Sequence, residues 1–543
     1  MTPRRLPTLT LMRQVGTLAV PVILTNLLQT LVNVVDVFMA GRLGPVEIAA
    51  VGMGNTVRLF VFIGILAVTS GSMALAAQAR GANDDAELSF VARQSLSLTV
   101  LLALVLSSIG YVAAEPLLGF LNSDGDPRAV VLGTDYLQII FIGTVLLVGT
   151  FSLSSLMQGA GDTVTPLLVA VGMNVLNIVF NWLFMFGPGP LPAWGVAGAA
   201  LGTLSARFIG ISVMIYLLYS GRNVVKILPG SYRPDWAMFR DLLAIGIPSG
   251  LQGMVRNSAQ LLVTRIVTST AAGTYGATAL AIGLQIESLA FMPGLALSVA
   301  ATSLVGQSLG RWQIGEARER GDAALLFGAL VMSAVAVPLF VFAPQLVTLF
   351  DPSAHPTVVA AGSSYLRINA VAQPILAFAM VLNGALRGAG DTRPGLVGTL
   401  LGRWGVVLPL AYLLALPLGM GVSGVWWALV AGTSVQSLYI GVRWFGGRWA
   451  EVALRKSRIY RLHLARLPQH EQRRFLDEVR APLLSDRDVS ESVDGAGVRY
   501  RIPGGDVYSS DVVVTFEQGS YRVRAEGEDP PPMPTITPHL GHI

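Results

Sequence analysis

Long apolar segments separated by short polar loops fill residues 14–445 of the chain. A run of about 20 mostly apolar residues is long enough to cross the hydrocarbon core of a bilayer as an α-helix. We therefore predict twelve membrane-spanning helices. The predicted spans are 14–40, 48–77, 90–114, 130–157, 164–187, 194–219, 240–267, 275–306, 322–346, 358–386, 395–418 and 421–444.

The composition supports this interpretation, because 53% of the 543 residues are hydrophobic and only 13% are charged. That share of charge is too small to cover the surface of a soluble protein of this size. The first apolar run continues to Ala40. It is thus longer than the core of a signal peptide, and we interpret it as a retained span.

Basic residues concentrate in alternate loops, which indicates the orientation of the helices. With the N-terminus inside, the inner segments hold most of the arginines, whereas the outer loops hold little beyond Arg42 and Arg128. Lys and Arg favour cytoplasmic loops. We therefore expect a multi-pass protein of the cell membrane with both termini in the cytoplasm. The net charge of +5 then reflects these loops and not a nucleic-acid partner.

An internal repeat divides the membrane part into two halves. Residues 159–163 (Gly-Ala-Gly-Asp-Thr) recur as residues 388–392, and Gln78 and Gly81 recur as Gln307 and Gly310, all at a shift of 229. Pro21 matches Pro248 at a shift of 227, and the Gly-Val-x-Gly sequence at 195–198 recurs at 421–424. We predict two parallel repeats of six helices, an arrangement found in transporters. The predicted domains are residues 1–220, 221–449 and 450–543.

The third of these regions is more polar and is predicted to be a small cytoplasmic extension. Residues 455–479 resemble a basic amphipathic helix that can lie on the inner leaflet. Residues 498–502, 512–516 and 521–523 alternate between apolar and polar side chains, with a turn at 518–519, which predicts a small β element. The proline-rich end is predicted to be disordered.

The first predicted helix carries one polar face. Asn26, Gln29, Asn33 and Asp36 follow one another at steps of three and four residues, so they share one side of the helix. An ionised Asp facing lipid would cost at least about 2.5 kcal/mol. This face must therefore point toward protein or water. Asp36 is either a functional carboxyl or a neutral, hydrogen-bonded group that joins two helices.

The fifth predicted helix carries a second polar face, formed by Asn174, Asn177 and Asn181. Lipid offers no partners for an amide side chain. We therefore expect this face to meet that of Asp36, with Thr203 of the sixth helix nearby. Such a pocket could hold a proton on Asp36 and share it through hydrogen bonds. Asp36, Asn33, Asn177, Asn181 and Thr203 are the candidate ion-coupling residues.

The second half does not copy this chemistry. At the repeat shifts, Gln29, Asn33 and Asp36 become Arg256, Gln260 and Val263, and Asn174 becomes Arg403. Arg256 and Glu287 are expected to form a neutralising pair, which leaves the proton site to the first half.

Other polar and apolar side chains complete the candidate site. Methionine and phenylalanine suit an adaptable apolar cavity, although most such residues in a membrane protein face lipid or core. The candidate substrate-contacting residues are Asn26, Gln29, Asn174, Met53, Met157 and Phe291. The chain has no cysteine, and its five histidines lack metal-ligand spacing. Without a nucleotide loop or catalytic triad, we expect no enzyme activity, no cofactor and no metal.

Taken together, the segment from Asp36 to Gly41 after Pro21, Gln78 with Gly81, and the two repeated glycine motifs resemble the multidrug and toxic compound extrusion (MATE) family, in particular its DinF-like branch. The resemblance covers residues 14–445. It implies two bundles of six helices, alternating access, and export of amphipathic, often cationic compounds in exchange for protons or sodium ions. It also implies that Asp36 matches the family's coupling carboxylate, with Asn177, Asn181 and Thr203 as its polar partners.

Two departures from the family pattern matter, and the one at Arg256, together with the apolar residues around Leu376 of the tenth predicted helix, argues against a sodium site in the second half. Asn181 stands where some members carry a second acid, and Arg256 stands where others carry a glutamate linked to cation binding. The sequence thus predicts a monomeric proton-coupled antiporter. One alternative is a flippase for lipid-linked precursors, which would gather Arg207, Arg256 and Arg403 in one cavity. Another is a non-transporting scaffold that uses the region after residue 450 for docking.

Overall fold

The computed structural model describes residues 9–121, 126–188, 192–311 and 313–456 of the helical part. It also describes four short strands within residues 490–525. Within the helical part, long apolar helices dominate, and many large hydrophobic side chains are exposed on their outer surfaces, as lipid-facing helices require.

The first half contains six spans, of which the fourth is broken. Helices α4 and α5 meet at Gly143 with a bend of 51° and form one span together, where the sequence predicts a single helix over 130–157. A Cβ atom on Gly143 would lie 2.1 Å from a methyl group of Leu204, so a larger residue here would force the Leu204 side chain to move. The helices are α1 (Leu9–Gly41), α2 (Pro45–Gly81), α3 (Asp85–Leu121), α4 (Pro127–Ile142), α5 (Thr144–Gly159), α6 (Val164–Phe186) and α7 (Gly195–Tyr219).

The second half also contains six spans, two of which are interrupted. Helix α10 ends at Val341, and the short α11 completes that span after Phe342. In the eleventh span a π-helix separates α13 from α14. The elements are α8 (Trp236–Thr268), α9 (Gly273–Gly310), α10 (Ile314–Val341), α11 (Ala343–Phe350), α12 (Pro356–Gly388), α13 (Arg393–Thr399), the π-helix (Leu400–Val407), α14 (Leu408–Ala415), α15 (Val422–Phe445) and α16 (Arg448–Lys456).

The observed layout confirms the prediction of twelve spans. In the described part of the chain, nine helices are long and apolar enough to cross a bilayer, and the bent α4–α5 pair forms a tenth span. Helices α2 and α8 complete the twelve by length and position.

The repeated glutamine and glycine residues join the two halves in a symmetric way. Gln78 Nε2 donates to the Gly388 carbonyl at 3.0 Å, and Gln307 Nε2 donates to the Gly159 carbonyl at 3.2 Å. A Cβ atom on Gly81 would lie 2.0 Å from the Gln307 carbonyl oxygen, and one on Gly310 would lie 2.0 Å from that of Gln78. The repeat thus preserves a packing joint at the ends of α2 and α9.

The segment that connects α7 to α8, and thus the two halves, forms hydrogen bonds with α3. Arg93 donates to the Leu228 carbonyl at 2.6 Å, and Gln94 bonds with the backbone of Arg233 and Asp235. Burial and a hydrogen bond with Tyr219 raise the pKa of Tyr232 to about 12. At neutral pH this tyrosine therefore stays protonated.

The strands form a unit of their own, an antiparallel sheet in the order β1 (Ser490–Asp494), β2 (Gly497–Ile502), β3 (Val512–Glu517) and β4 (Ser520–Ala525). Three of these strands lie where the alternation predicts them, with Val498 opposite Phe516 and Val514 opposite Val523. Strand β1 escapes prediction because its only apolar residue is Val493. Most of the predicted amphipathic helix and the proline-rich end lie outside the described residues.

Candidate functional site

The polar face of α1 points toward α6, against which α1 packs. Asp36 is half-buried, and its Oδ1 accepts a hydrogen bond of 2.6 Å from Asn181 Nδ2. Asn181 itself is fully buried. A short hydrogen bond to a carboxylate in a water-poor environment is among the stronger polar contacts in a protein.

The hydrogen bonds continue from α6 to α7. Asn181 Nδ2 lies 3.4 Å from Asn177 Oδ1, and Asn177 Nδ2 donates to Thr203 Oγ1 at 3.1 Å. Asn177 and Asn181 can act in series because they are one helical turn apart on α6. The structure therefore brings together Asp36, Asn181, Asn177 and Thr203, which we call the acid–amide chain.

A residue that the sequence patterns did not single out makes room for this chain. Gly202 of α7 faces Asn181, and a Cβ atom there would lie only 2.2 Å from Asn181 Oδ1. Gly198, one turn earlier, allows a similar approach to the Phe184 carbonyl. The Gly-x-x-x-Gly spacing of 198 and 202 is the signal that could have revealed this contact, since small residues at this spacing let membrane helices pack closely.

The remaining polar candidates lie beside the chain and are not linked into it by a described hydrogen bond. Asn26 and Gln29 are half-buried on α1. Asn174 lies one turn before Asn177, and its buried Nδ2 has no hydrogen-bond partner among the described residues. The side chain of Asn33 lies outside the described part of the structure.

The three apolar candidates do not converge on one place. Met157 is fully buried in a core cluster with Leu156 and Ile211, so in this structure it is a packing residue and not a surface for a solute. Met53 packs at the edge of a second cluster in the first half. Phe291 lies on α9, in the second half, beneath Arg256.

The second half contains its own buried polar group, here called the arginine cluster and formed by Arg256, Glu287, Tyr365 and Arg403. The Tyr365 hydroxyl donates to Glu287 Oε2. The guanidinium of Arg256 lies 5.6 Å from the centre of the Phe291 ring, within cation–π range. Arg256, Arg403 and Glu287 interact electrostatically with one another.

The Arg256–Glu287 interaction is electrostatic, as expected of a neutralising pair, but it is not a close ion pair. Among the described residues, neither Arg256 nor Arg403 forms an ion pair within 4 Å with Glu287. The carboxylate is held by Tyr365, whose role could not be foreseen because an aromatic residue in an apolar helix usually packs in the core. Arg207, the third arginine of the flippase hypothesis, lies 6.0 Å from the Phe151 ring in the first half and not in the arginine cluster.

Comparison with known proteins identifies the family. A family model described as MatE matches residues 21–183 and again residues 248–413, one match in each half. The chain belongs to the MatE family. This MatE protein is therefore a membrane transporter and not an enzyme, as the resemblance implied.

Individual relatives agree with this assignment. The protein is 28% identical over 441 residues to the probable multidrug resistance protein NorM of Thermotoga maritima, a match that covers 80% of this chain and 93% of the relative. It is 31% identical over 433 residues to the multidrug resistance protein NorM of Burkholderia vietnamiensis, covering 78% and 92%. The narrower resemblance to the DinF-like branch stays a prediction.

A solved structure confirms the fold of this MatE transporter. A transporter of the MOP superfamily from Pyrococcus furiosus superposes with a TM-score of 0.74, covering 81% of this chain and 96% of the other, at 24% identity. At 24% sequence identity, this structural similarity establishes the fold alone. The family match starts at Pro21 and at Pro248, which are the residues that open the two repeats.

Proposed function

We propose that this protein is an antiporter that exports amphipathic compounds in exchange for protons, with Asp36 as the coupling carboxylate. The names of the two NorM relatives support the export of drugs or toxic compounds. The observation that carries the proposal is the acid–amide chain, because it links one carboxyl group to three helices through 2.6, 3.4 and 3.1 Å contacts.

Loss or gain of charge on Asp36 can move helices through this chain. The ionised carboxylate accepts the Asn181 N–H strongly, whereas a protonated carboxyl is a weaker acceptor. A hydrogen bond to a charged group is worth about 1.5–3 kcal/mol, enough to shift a balance between two packings of α1 on α6.

Helix α1 is suited to transmit this change. It contains Pro21, which lacks a backbone N–H and so removes one hydrogen bond from the helix. It also packs against α9 of the second half as well as against α6. A shift of α1 therefore reaches both halves.

The joint formed by Gln78 and Gln307 fits alternating access. In the expected orientation, the ends of α2 and α9 lie on the cytoplasmic side, so this end of the transporter is closed by the two glutamine bonds. Opening it requires both bonds to break. In the proposed cycle, an outside proton neutralises Asp36, the first-half helices repack and the solute leaves; proton release inside lets the next solute bind.

The arginine cluster makes the second half unsuited to bind sodium, which favours protons as the coupling ion. The only carboxylate of the arginine cluster, Glu287, is already bonded to Tyr365 and faces two guanidinium groups. A cation entering this cluster would be repelled by Arg256 and Arg403. We further infer that the protein acts as a monomer in the cell membrane, with both termini in the cytoplasm.

Proteoliposomes test the proposal directly. Dye efflux is measured under an imposed pH gradient and, separately, under an imposed sodium gradient. We expect the pH gradient alone to drive efflux, and Asp36→Asn to abolish it. The matched control is Asp135→Asn, which alters an exposed acid on α4. Efflux that persists in Asp36→Asn, or that follows sodium, would contradict the proposal.

The two alternative functions make different predictions. A flippase that binds pyrophosphate with three arginines would depend on Arg207, which lies at Phe151 and apart from the arginine cluster. A scaffold would lose its function on deletion of residues 457–543 and would tolerate Asp36→Asn. We expect the truncated transporter to keep its efflux activity and the Arg207→Gln variant to resemble the unaltered protein.

A further inference from the structure

The arginine cluster is not used by the proton mechanism, yet it places two permanent positive charges inside the second half. Arg256 comes from α8, Glu287 from α9 and Arg403 from the π-helix. One carboxylate faces two guanidinium groups, which leaves a net charge of +1. A charge within a protein interior is costly unless a counter-charge and hydrogen bonds accompany it.

Arg256 is an exposed residue beside the other members of the arginine cluster. Its side chain is exposed although the residue lies in the middle of α8. Its guanidinium lies 5.6 Å from the centre of the Phe291 ring of α9 and interacts electrostatically with Arg403 of the π-helix. The exposed side chain therefore leaves this guanidinium open to a further partner.

Two buried hydrogen-bond donors on elements of this cluster or next to it have no described acceptor. Gln260 lies one turn beyond Arg256 on α8, and its buried Nε2 has no partner among the described residues. Trp426 is fully buried, contacts the Tyr365 ring edge-on at 4.9 Å, and its Nε1 also lacks a described partner. Glu287 already accepts the Tyr365 hydroxyl. Buried donors without an acceptor are rare in proteins and indicate a missing partner.

The backbone around Arg403 departs from regular α-helix. Residues Leu400–Val407 form a π-helix, in which the Leu408 N–H bonds to the Arg403 carbonyl, and Pro409 follows without an N–H to continue the α-helical pattern. Segments of π-helix occur often at functional sites. The matching residues of the first half, which include Asn174, belong to the α-helix α6.

We propose that the arginine cluster binds an anionic group, a carboxylate or a phosphate, carried by the exported amphipathic solute. Arg256 and Arg403 neutralise the anion, and Gln260 is a further donor on the same face of α8 as Arg256. The preferred solutes are thus anionic or zwitterionic amphiphiles. The inference rests on the proposed function only in treating the bound solute as the exported one.

Binding of a matched pair of probes tests this site without any ion gradient. The full-length protein is placed in phosphatidylcholine nanodiscs, and the affinities for dansylaminoundecanoic acid and for its methyl ester are measured by fluorescence. We expect the acid to bind at least about tenfold more tightly than the ester, because only the acid offers a charged acceptor. Equal affinities for acid and ester would overturn the proposal.

Variants separate the site from a general loss of folding. The double variant Arg256→Gln with Arg403→Gln should bind the acid no better than the ester, whereas Arg207→Gln keeps the difference. Glu287→Gln removes the internal carboxylate and should tighten binding of the acid several-fold. A misfolded protein cannot show such a gain. Weaker or unchanged binding of the acid to Glu287→Gln contradicts the proposal.

Two further measurements identify the source of the anion and separate this inference from proton coupling. Displacement of the acid probe by phosphatidic acid in the nanodisc, seen in the unaltered protein and absent in the double variant, would assign the site to a lipid headgroup and overturn the assignment to the solute. If the acid probe stays bound when phosphatidic acid is added at equal ionic strength, the site is assigned to the anionic group of the solute. In Asp36→Asn the preference for the acid over the ester should persist even where both affinities change, so failure of the proton mechanism would not affect this result.

Discussion

The two halves of this transporter share a scaffold but differ in their polar chemistry. The glutamine and glycine residues that join them recur in both, with Gln78 and Gln307 making equivalent hydrogen bonds. At the polar positions of α1 and α6, in contrast, the second half has a valine in place of Asp36 and an arginine in place of Asn174. The first half holds a group that can gain or lose a proton, and the second holds guanidinium groups that stay charged.

This difference suggests that the two halves share the residues that pack them together and differ in the residues that bind a proton or a solute. Residues that fix backbone contacts between the halves are repeated because both halves must pack in the same way. Residues that bind a proton or a solute can diverge, because a repeat does not need the same chemistry twice. Exchanging or removing features of one half at a time tests this division.

The largest effect is expected from placing a second-half residue in the first half. At the offset that relates Gly198 to Gly424, Gly202 corresponds to Ala428, which is fully buried. In Gly202→Ala the added Cβ would lie 2.2 Å from Asn181 Oδ1 and would displace the amide from Asp36. We expect proton-driven efflux to fall by at least about tenfold, since a bond to a charged group is worth 1.5–3 kcal/mol.

A glycine on α6 supplies the control for this variant. A Cβ atom on Gly172 would meet no atom within 4 Å. Gly172→Ala should therefore keep normal efflux, measured in the same proteoliposomes. Normal activity of Gly202→Ala would mean that the contact between α7 and Asn181 is not needed.

A second prediction introduces a first-half residue into the second half. Arg403→Asn copies Asn174 and removes one guanidinium from the arginine cluster. The affinity for the carboxylate probe should fall by roughly tenfold, as expected for loss of one charged hydrogen bond. Proton-driven transport of a cationic dye should continue. The probe affinity is measured in nanodiscs and the transport in proteoliposomes; a defect only in transport of the cationic dye would reverse the assignment of the two halves.

The smallest effect is expected at the joint between the halves, where the repeat is symmetric. Gln78→Ala and Gln307→Ala each remove one hydrogen bond, worth about 1 kcal/mol. Each variant should shift the population of the open inner end by a similar, several-fold amount. Spin labels on the ends of α2 and α9, read by pulsed electron resonance, measure this population. Unequal shifts would show that the joint is not symmetric in energy.

Much of the fold could be predicted because hydropathy follows directly from the cost of burying polar groups in lipid. The twelve spans and three of the four strands follow from such patterns. The break at Gly143 and the π-helix at Arg403 could not be predicted, because they depend on contacts with distant helices such as that of Leu204. The residues next to such a position in sequence do not determine where a distant helix packs.

In the candidate site, too, some residues can be predicted from the local sequence pattern and others only from tertiary contacts. Asp36, Asn177 and Asn181 could be singled out because polar residues at helical spacing are conspicuous in an apolar helix. Gly202 could not be identified in that way, since it contributes space and not a polar group. Tyr365 could not be predicted for a related reason: its hydroxyl has a role only because Glu287 of another helix lies within its reach.

Proton release on solute binding tests the central role of Asp36 most directly. The purified protein in weakly buffered solution is mixed with a saturating cationic dye, and the protons released are measured with a pH indicator. We predict that the unaltered protein and Asp135→Asn release protons as the dye binds, and that Asp36→Asn binds the dye and releases none. Equal proton release by Asp36→Asn would contradict the account.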